Sequence, residues 1–389
     1  MGIINRRRFL ESVGAVAGTL TVAGCVGPAK TLSAESVHDP TFYPAAPSPP
    51  RIQHLKTLKS ESDVVARTSG FADFVAGSPQ DEIALARPYG AAVYNGAVYV
   101  ADTAAAAVAV FDLKARSFRV FFGSGSGRLQ KPINITIDGD GTRYICDTGR
   151  KQIVCFDASD KFIRALGSGT EFTPVDCVVD GPELLLTDIE HHRVVRINKV
   201  SGEIVNMFGK PGSAKGELFH PTNLALGPAG DVYIVETSNF RVQRFKQNGA
   251  TVRTYGRVGD APGQFSRPKG IAIDQNGRLF VGDSAFGNVQ IFANDGQLLM
   301  EFGRSPVARE SLNLPASVSI HYEDLDLFQH FAAPDFLLEF VILVVSQFGP
   351  NKVDVFGFGK MRGLDYTVRS PPLPAHAKTR RQTNERNNT

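Results

Sequence analysis

Short runs of β-branched and aromatic residues alternate with polar residues along the middle of the chain. In residues 262–303, four such runs, at 270–274, 279–283, 289–292 and 298–302, are separated by Asn-Gly, Ser-Ala-Phe-Gly and Asn-Asp-Gly. Alternation with a period of two residues, interrupted by Asn-Gly or Asp-Gly, is typical of antiparallel hairpins. The pattern therefore predicts a meander of four strands in this stretch.

The same meander recurs along the chain. Residues 216–256 match it almost position by position, and residues 87–123, 131–167 and 173–209 show the same order of signals. Each repeat opens with a proline, and successive prolines are 42 to 47 residues apart. These prolines are Pro88, Pro132, Pro174, Pro221, Pro268 and Pro315. Four strands in a unit of this length predict a β-propeller, and six prolines predict six blades.

The clearest repeat also resembles a known sequence family. Residues 262–274 read Pro-Gly-Gln-Phe-x-x-Pro-x-Gly-Ile-Ala-Ile-Asp, and Gly-x-Leu-Phe-Val-x-Asp-Ser and Asn-Val-Gln-Ile-Phe follow. This pattern resembles an NHL repeat, and the resemblance covers about residues 87–359. It implies an all-β, six-bladed β-propeller of four-stranded antiparallel blades. It is specific for the fold and much less specific for the function.

The ring is expected to close through the N-terminal end of the domain. The sixth repeat, from Leu314, has no clear fourth strand, whereas residues 51–58 alternate apolar and polar side chains before the first repeat begins. We expect residues 52–58 to pair beside residues 353–358 and to complete the last blade. Pairing of the chain ends in this way removes an open edge that would favour aggregation.

The first 24 residues predict an export signal. Arg6-Arg7-Arg8 precede a short apolar run and resemble a twin-arginine signal, and the run is too short to span a bilayer. The run ends in Val-Ala-Gly-Cys, which looks like a lipobox with Cys25 as the lipidated residue; an ordinary signal peptidase site is the alternative. Val26 favours, by resemblance to bacterial sorting rules, the outer membrane. We expect a lipid-anchored protein that faces the periplasm.

Composition divides the rest of the chain into three parts. Residues 25–50 are rich in Pro, Ala and Ser and predict a tether, and residues 366–389 predict a disordered basic tail. Residues 51–365 form the propeller, with repeats that start near Arg87, Lys131, Thr173, His220, Arg267 and Leu314. The chain has a formal charge of +3, but residues 1–24 carry +2 and the tail carries +4, which leaves about −3 for the remainder. This balance argues against a nucleic-acid partner.

Polar residues lie near the start of three consecutive innermost strands. Asn134, Asp176 and Asn223 each follow a repeat proline by two residues and are expected at one mouth of the central channel. Oxygen ligands of this kind suit Ca²⁺, and the arrangement is similar to the metal ring of gluconolactonase and paraoxonase propellers. Two observations argue against a metal site. Only one of the three residues is charged, and the equivalent positions on two other blades are Gly90 and Gly270, which offer no ligand. Asn and Asp also start strands for local reasons.

Basic residues are expected around the same mouth. Arg87, Lys131, His220, Arg267 and Lys269 form a predicted rim that could attract an anionic ligand, with ordinary solvated charges as the alternative. His220 stands alone at its repeat position, in contrast to the zinc-binding histidines of the peptide-amidating lyase that this propeller type resembles.

Two further groups of residues have structural interpretations. An acid ends the second strand of five repeats, where it can accept hydrogen bonds from the following turn. These acids are Asp102, Asp147, Asp188, Glu236 and Asp283. Cys146, Cys155 and Cys177 are expected to be buried free thiols, although a bridge between the first two is the alternative.

The sequence shows no nucleophile–base pair and no phosphate-binding loop. It therefore favours a monomeric binding module that engages a protein or peptide-like partner at the bacterial envelope through propeller loops. The alternative hypothesis is a calcium-dependent, lactonase-like hydrolase or a lyase that uses Asn134, Asp176 and Asn223.

Overall fold

The computed structural model describes residues 40–65, 82–304 and 311–366. The predicted export signal, Cys25 and the tail from residue 367 lie outside these residues. The described residues belong to one unit, Pro40–Thr389. Its strands form six antiparallel sheets, and the chain is therefore the predicted all-β, six-bladed propeller.

The first five blades have four strands each, numbered here in chain order. Blade 1 contains β3 (Pro88–Tyr94), β4 (Ala97–Asp102), β5 (Ala107–Asp112) and β6 (Ser117–Phe121). Blade 2 contains β7 (Pro132–Ile137), β8 (Arg143–Asp147), β9 (Gln152–Phe156) and β10 (Phe162–Leu166). Blade 3 contains β11 (Pro174–Asp180), β12 (Glu183–Asp188), β13 (Arg193–Asn198) and β14 (Ile204–Phe208). Blade 4 contains β15 (Pro221–Leu226), β16 (Val232–Glu236), β17 (Arg241–Phe245) and β18 (Thr251–Tyr255). Blade 5 contains β19 (Pro268–Ile273), β20 (Leu279–Asp283), β21 (Asn288–Phe292) and β22 (Leu298–Phe302).

The sixth blade has five strands and closes the ring. It contains β1 (Phe42–Tyr43), β2 (Ile52–Leu58), β23 (Pro315–His321), β24 (Phe336–Ser346) and β25 (Val353–Met361), in the order β1-β2-β25-β24-β23. Ile52 pairs with Phe358 and Leu58 pairs with Val353, so the predicted closure by the N-terminal strand is confirmed. A short helix, α1 (Leu325–Gln329), lies in the connection between β23 and β24.

The propeller begins earlier than the sequence predicts. Phe42 and Tyr43 lie in the predicted tether, but they pair with β2 as a fifth strand. The ring of Tyr43 packs 6.2 Å from that of Phe302 and 6.4 Å from that of Phe356. These aromatic contacts hold the strand in place. Composition did not indicate the strand, because the many prolines around it are typical of a tether.

The core lies between neighbouring blades, and hydroxyl groups connect the blades near the axis. In one interface, Phe280 of blade 5 packs with Phe340 and Phe358 of blade 6, whose rings stack 4.6 Å apart. Four hydroxyl groups at or just after the end of a second strand donate across a blade boundary to a backbone carbonyl at the start of the next innermost strand. These contacts are Thr103 to Pro132, Thr187 to Thr222, Thr237 to Pro268 and Ser284 to Pro315. Each link fixes the start of an innermost strand relative to the preceding blade.

The three described cysteines form no disulfide bridge. Cys146, Cys155 and Cys177 are buried free thiols, as predicted. Cys146 pairs with Ile153 across the hairpin rather than with Cys155, so the two thiols are not opposite each other. Within the described ranges, no helix has the length and hydropathy needed to cross a bilayer.

Candidate functional site

Four polar side chains form a layer across the axis of the ring. We call Asn134, Asp176, Asn223 and Ser317 the polar layer; all four are buried, and each lies two residues after a repeat proline. Asn134 Nδ2 donates to Asp176 Oδ1 at 2.7 Å, and the backbone N–H of Leu224, next to Asn223, donates to Asp176 Oδ2 at 3.0 Å. The three residues singled out in the sequence are therefore brought together around one carboxyl group.

Gly90 completes the layer on the first blade. A Cβ atom at this position would lie 1.7 Å from Asn134 Oδ1, a separation at which one of the two atoms must move. Glycine is thus required there because the Asn134 amide occupies the space of a side chain. The sequence suggested only that this position offers no ligand.

A hydrophobic plug separates the polar layer from the proline end of the channel. Tyr89, Ile133, Val175 and Ala316, each one residue closer to the repeat proline, form a buried cluster that we call the plug. Tyr89 reaches across the ring, and its hydroxyl donates to Asn223 Oδ1 at 3.3 Å. The expectation that Asn134, Asp176 and Asn223 line the mouth is therefore corrected, because they lie beneath the plug.

A β-bulge explains why the plug and the layer both point toward the axis. The strand register shifts after the prolines, between Pro88 and Gly90 on blade 1 and between Pro132 and Asn134 on blade 2. A bulge places two residues opposite one, so strict alternation is lost. Sequence reasoning assumed alternation, and it missed Tyr89 for that reason.

Burial dominates the chemistry of the central carboxyl group. Burial raises the pKa of Asp176 to about 7, against the opposing effect of hydrogen bonds from Leu224, Cys177, Asn223 and Asn134. Burial, reinforced by the charge of Asp176, also raises the pKa of the Tyr89 hydroxyl. Near neutral pH, Asp176 therefore exchanges between its protonated and ionised forms while Tyr89 stays neutral.

The polar layer as arranged does not fit Ca²⁺. This ion takes six to eight oxygen ligands, and the layer contains one carboxylate. Asn134 Oδ1 accepts the Ile135 N–H, and Asn223 Oδ1 accepts the Tyr89 hydroxyl. Within the described residues, no group of three or more His, Cys, Asp or Glu side chains is arranged to hold a metal ion. Calcium binding would require these oxygens to exchange their present donors.

The basic rim lies above the plug, on the proline side. Arg87, Lys131 and Arg267 are exposed, and none of them, nor Lys269, forms an ion pair with a described residue. Lys269 is the deepest: its Nζ donates to Gln347 Oε1 at 3.0 Å and lies 5.4 Å from the centre of the Tyr89 ring. Burial, followed by the repulsion of Arg267, lowers the pKa of Lys269 to about 8.

His220 lies at a different part of the mouth from these four cations. Its backbone N–H donates to His192 Nδ1 at 3.0 Å, and its own Nδ1 lies 3.0 Å from Ser238 Oγ. The His192 ring stacks on Phe219 at 4.8 Å. Burial, and then the neighbouring His220, lower the pKa of His192. No sequence signal links these turns, since they belong to different blades and the ring alone brings them together.

The recurrent acids are structural, as predicted. Asp102 accepts the N–H groups of Ala86 and Arg87 before the repeat proline and of Ala104 and Ala105 in the following turn. Equivalent backbone bonds reach Asp147, Asp188, Glu236 and Asp283. Their negative charges are therefore stabilised locally by N–H donors beneath the rim.

Comparisons with known proteins support the fold. No protein-family model matches the chain, and no curated protein matches it. Among solved structures, a Bacteroides thetaiotaomicron protein of unknown function has a TM-score of 0.55 at 14% identity, covering 79% of this chain and 75% of that one. A gluconolactonase from Xanthomonas campestris has a TM-score of 0.52 at 16% identity, with coverages of 82% and 97%. Virginiamycin B lyase from Staphylococcus aureus, solved with quinupristin, has a TM-score of 0.48 at 15% identity, with coverages of 70% and 84%. At these identities the likeness concerns the fold alone.

Proposed function

We propose that this propeller is a binding module whose proline-side mouth engages an acidic protein or peptide segment. The observation that carries the proposal is the set of four cations, Arg87, Lys131, Arg267 and Lys269, without an ion-pair partner among the described residues. They lie on blades 1, 2 and 5. Blades 1 and 2 are neighbours, and blade 6 alone stands between blades 5 and 1. A single arc of positive charge attracts anionic partners and increases their association rate.

The rim and the plug suit surface binding more than chemistry. Tyr89 closes the channel beneath the rim, so a partner rests on the mouth instead of entering the ring. The rim residues of blades 2 and 5 are held at fixed positions, because hydroxyl links tie the starts of β7 and β19 to the preceding blade. A preorganised surface lowers the entropic cost of binding an extended segment.

We also propose that the repeats are of the NHL type and that the protein acts at the bacterial envelope, anchored by a lipid on Cys25. The signal pattern of residues 1–24 and the lipobox-like Val-Ala-Gly-Cys support the anchor. Several acyl chains on one residue would make the attachment stable, whereas a single chain is marginal. Labelling of cells with an alkyne fatty acid is expected to mark the wild-type protein and not Cys25→Ser; equal labelling of the two would contradict the anchor.

A charge-reversal experiment tests the binding proposal. The triple variant Arg87→Glu, Lys131→Glu, Arg267→Glu is compared with wild type by fluorescence anisotropy, using a labelled hexaglutamate peptide at low ionic strength. The matched control reverses three exposed basic residues in turns at the opposite end of the ring. This control is Lys114→Glu, Arg116→Glu, Lys161→Glu. Wild type and control are expected to bind the peptide, and the rim variant is expected to bind at least tenfold more weakly.

Natural partners are then sought with the same three proteins. Capture from detergent-solubilised bacterial envelopes should retain a partner on the wild-type protein and the control, and lose it on the rim variant. Equal peptide binding and equal capture by all three proteins would overturn the assignment of the rim. Because the polar layer does not fit Ca²⁺ as arranged, we do not propose the calcium-dependent hydrolase or lyase. Stoichiometric calcium in purified protein, lost in Asp176→Asn, would reverse that conclusion.

A further inference from the structure

A cavity lies on the other side of the polar layer from the rim. Its volume is about 320 Å³, and the six innermost strands enclose it. It runs from the polar layer toward Val179, Leu226 and Ile273, at or next to the ends of their strands. The plug separates this cavity from the basic mouth, so a ligand here would be different from the acidic partner proposed above.

The layer end of the cavity combines a buried acid with a free hydroxyl group. Asp176 lines the cavity, and no Lys, Arg or His among the described residues does so. Ser317 also lines the cavity and is only 5% exposed. Its Oγ has no hydrogen-bond partner among the described residues. A buried hydroxyl without a partner costs free energy unless a ligand or solvent satisfies it.

The cavity is lined by the edges of the innermost strands. Each innermost strand is the end strand of its sheet, so one of its edges is unpaired within the blade and faces the axis. Side chains such as Ile135 and Ile271 point instead into the clusters between blades. The strand edges therefore present backbone N–H and C=O groups to the axis, and the C=O groups are hydrogen-bond acceptors.

We propose that this cavity binds a small organic cation with a primary ammonium group, such as a short alkylammonium. Asp176 supplies the opposite charge, and Ser317 Oγ and the carbonyl oxygens of the strand edges accept the ammonium N–H bonds. An ammonium group has three donors and no acceptor, so it matches this set with far fewer ligands than Ca²⁺ requires. Its alkyl chain would extend along the cavity away from the polar layer.

Proton linkage provides a signature for this site. A bound cation favours the ionised form of Asp176, whose pKa is raised to about 7 by burial. Among the described residues, Tyr89 on β3 and Cys146 on β8 are titratable groups that interact with Asp176. Burial raises the pKa of both, so they remain neutral from pH 6 to 8. Ammonium affinity should therefore fall about tenfold from pH 8 to pH 6, as the ionised fraction of Asp176 falls.

An NMR titration of the whole protein with n-butylammonium chloride tests the proposal, with sodium chloride and n-butanol as matched probes. At pH 8, butylammonium is expected to shift signals of residues that line the cavity, and neither other probe should do so. Asp176→Asn should weaken binding at least tenfold, and Ser317→Ala severalfold. Ser319→Ala, which alters the same cavity farther from the layer, should change it less than twofold.

Unfolding of a variant would not leave the question open, because the comparison of probes and the pH series need only the wild-type protein. Equal binding of butanol, unchanged affinity between pH 6 and pH 8, or full affinity in folded Asp176→Asn would each overturn the ammonium site. These results are independent of the rim variant, so failure of this site and failure of the binding proposal can be distinguished.

Discussion

The replacement Gly90→Ala tests whether the polar layer is organised as described. The new Cβ would lie 1.7 Å from Asn134 Oδ1, 2.5 Å from its Cγ and 2.9 Å from its Cα. The amide can turn away, but its Nδ2 then no longer donates to Asp176 Oδ1. The backbone contact remains crowded even after that rotation. The substitution therefore combines a lost hydrogen bond with overpacking at the axis.

The expected loss of stability follows from these two effects. Loss of a hydrogen bond to a charged group costs about 1.5–3 kcal/mol, and overpacking costs about 1–3 kcal/mol. We expect a total of about 2.5–6 kcal/mol. For a domain of about 300 described residues, the unfolding entropy is about 0.6 kcal/mol per kelvin. The melting temperature of Gly90→Ala should therefore fall by about 4–10 °C relative to wild type.

Differential scanning calorimetry at pH 8 measures this change, and Gly139→Ala is the matched control. A Cβ at Gly139 would have no atom within 4 Å, and its φ is not positive, so its melting temperature should stay within about 1 °C of wild type. In an Asn134→Ala background, Gly90→Ala should cost less than half as much, because the obstructing amide is gone. If Gly90→Ala and Gly139→Ala had the same melting temperature, the Asn134 amide would not occupy the space assigned to it.

Three further predictions concern the seam, the carboxyl group and the rim. Ile52→Ala removes a fully buried side chain from the closing strand and should lower the free energy of unfolding, measured in urea, by about 2–5 kcal/mol. Replacement of the half-exposed Ile83 by Ala should change it by less than about 0.5 kcal/mol, and equal effects would argue against closure through β2. The pKa of Asp176 is raised in the folded state, so the folded protein retains a proton that the unfolded chain releases. Wild type should therefore lose stability relative to Asp176→Asn as the pH rises from 5 to 8. If the two proteins differed by the same free energy of unfolding in urea at both pH values, this prediction would be contradicted. Because the pKa of Lys269 is lowered to about 8, the affinity for hexaglutamate should fall between pH 7 and pH 9 in wild type but not in Lys269→Arg. If the affinities of the two proteins depended on pH in the same way, Lys269 would be excluded from the binding surface.

Part of the candidate site could be predicted from the sequence. The repeat prolines align the innermost strands, so position alone placed Asn134, Asp176 and Asn223 on consecutive blades. The structure joins the first two through the Asn134–Asp176 hydrogen bond, and the N–H of the residue after Asn223 donates to the same carboxyl group. Their depth was not predicted, because a bulge after the proline turns two successive residues toward the axis and inserts Tyr89 above them. Alternation along a strand carries no sign of such a shift.

The sequence by itself determined the number of blades, the strands within them and the strand that closes the ring, because these follow from local alternation, turn residues and a repeat spacing that one-dimensional inspection can read. Only the tertiary structure decided what meets at the axis. Six strand starts far apart in the chain converge there, and side chains from different blades decide which atoms are buried. Asp176 has a raised pKa and Lys269 a lowered one because of that burial, which no neighbouring residue in the sequence encodes.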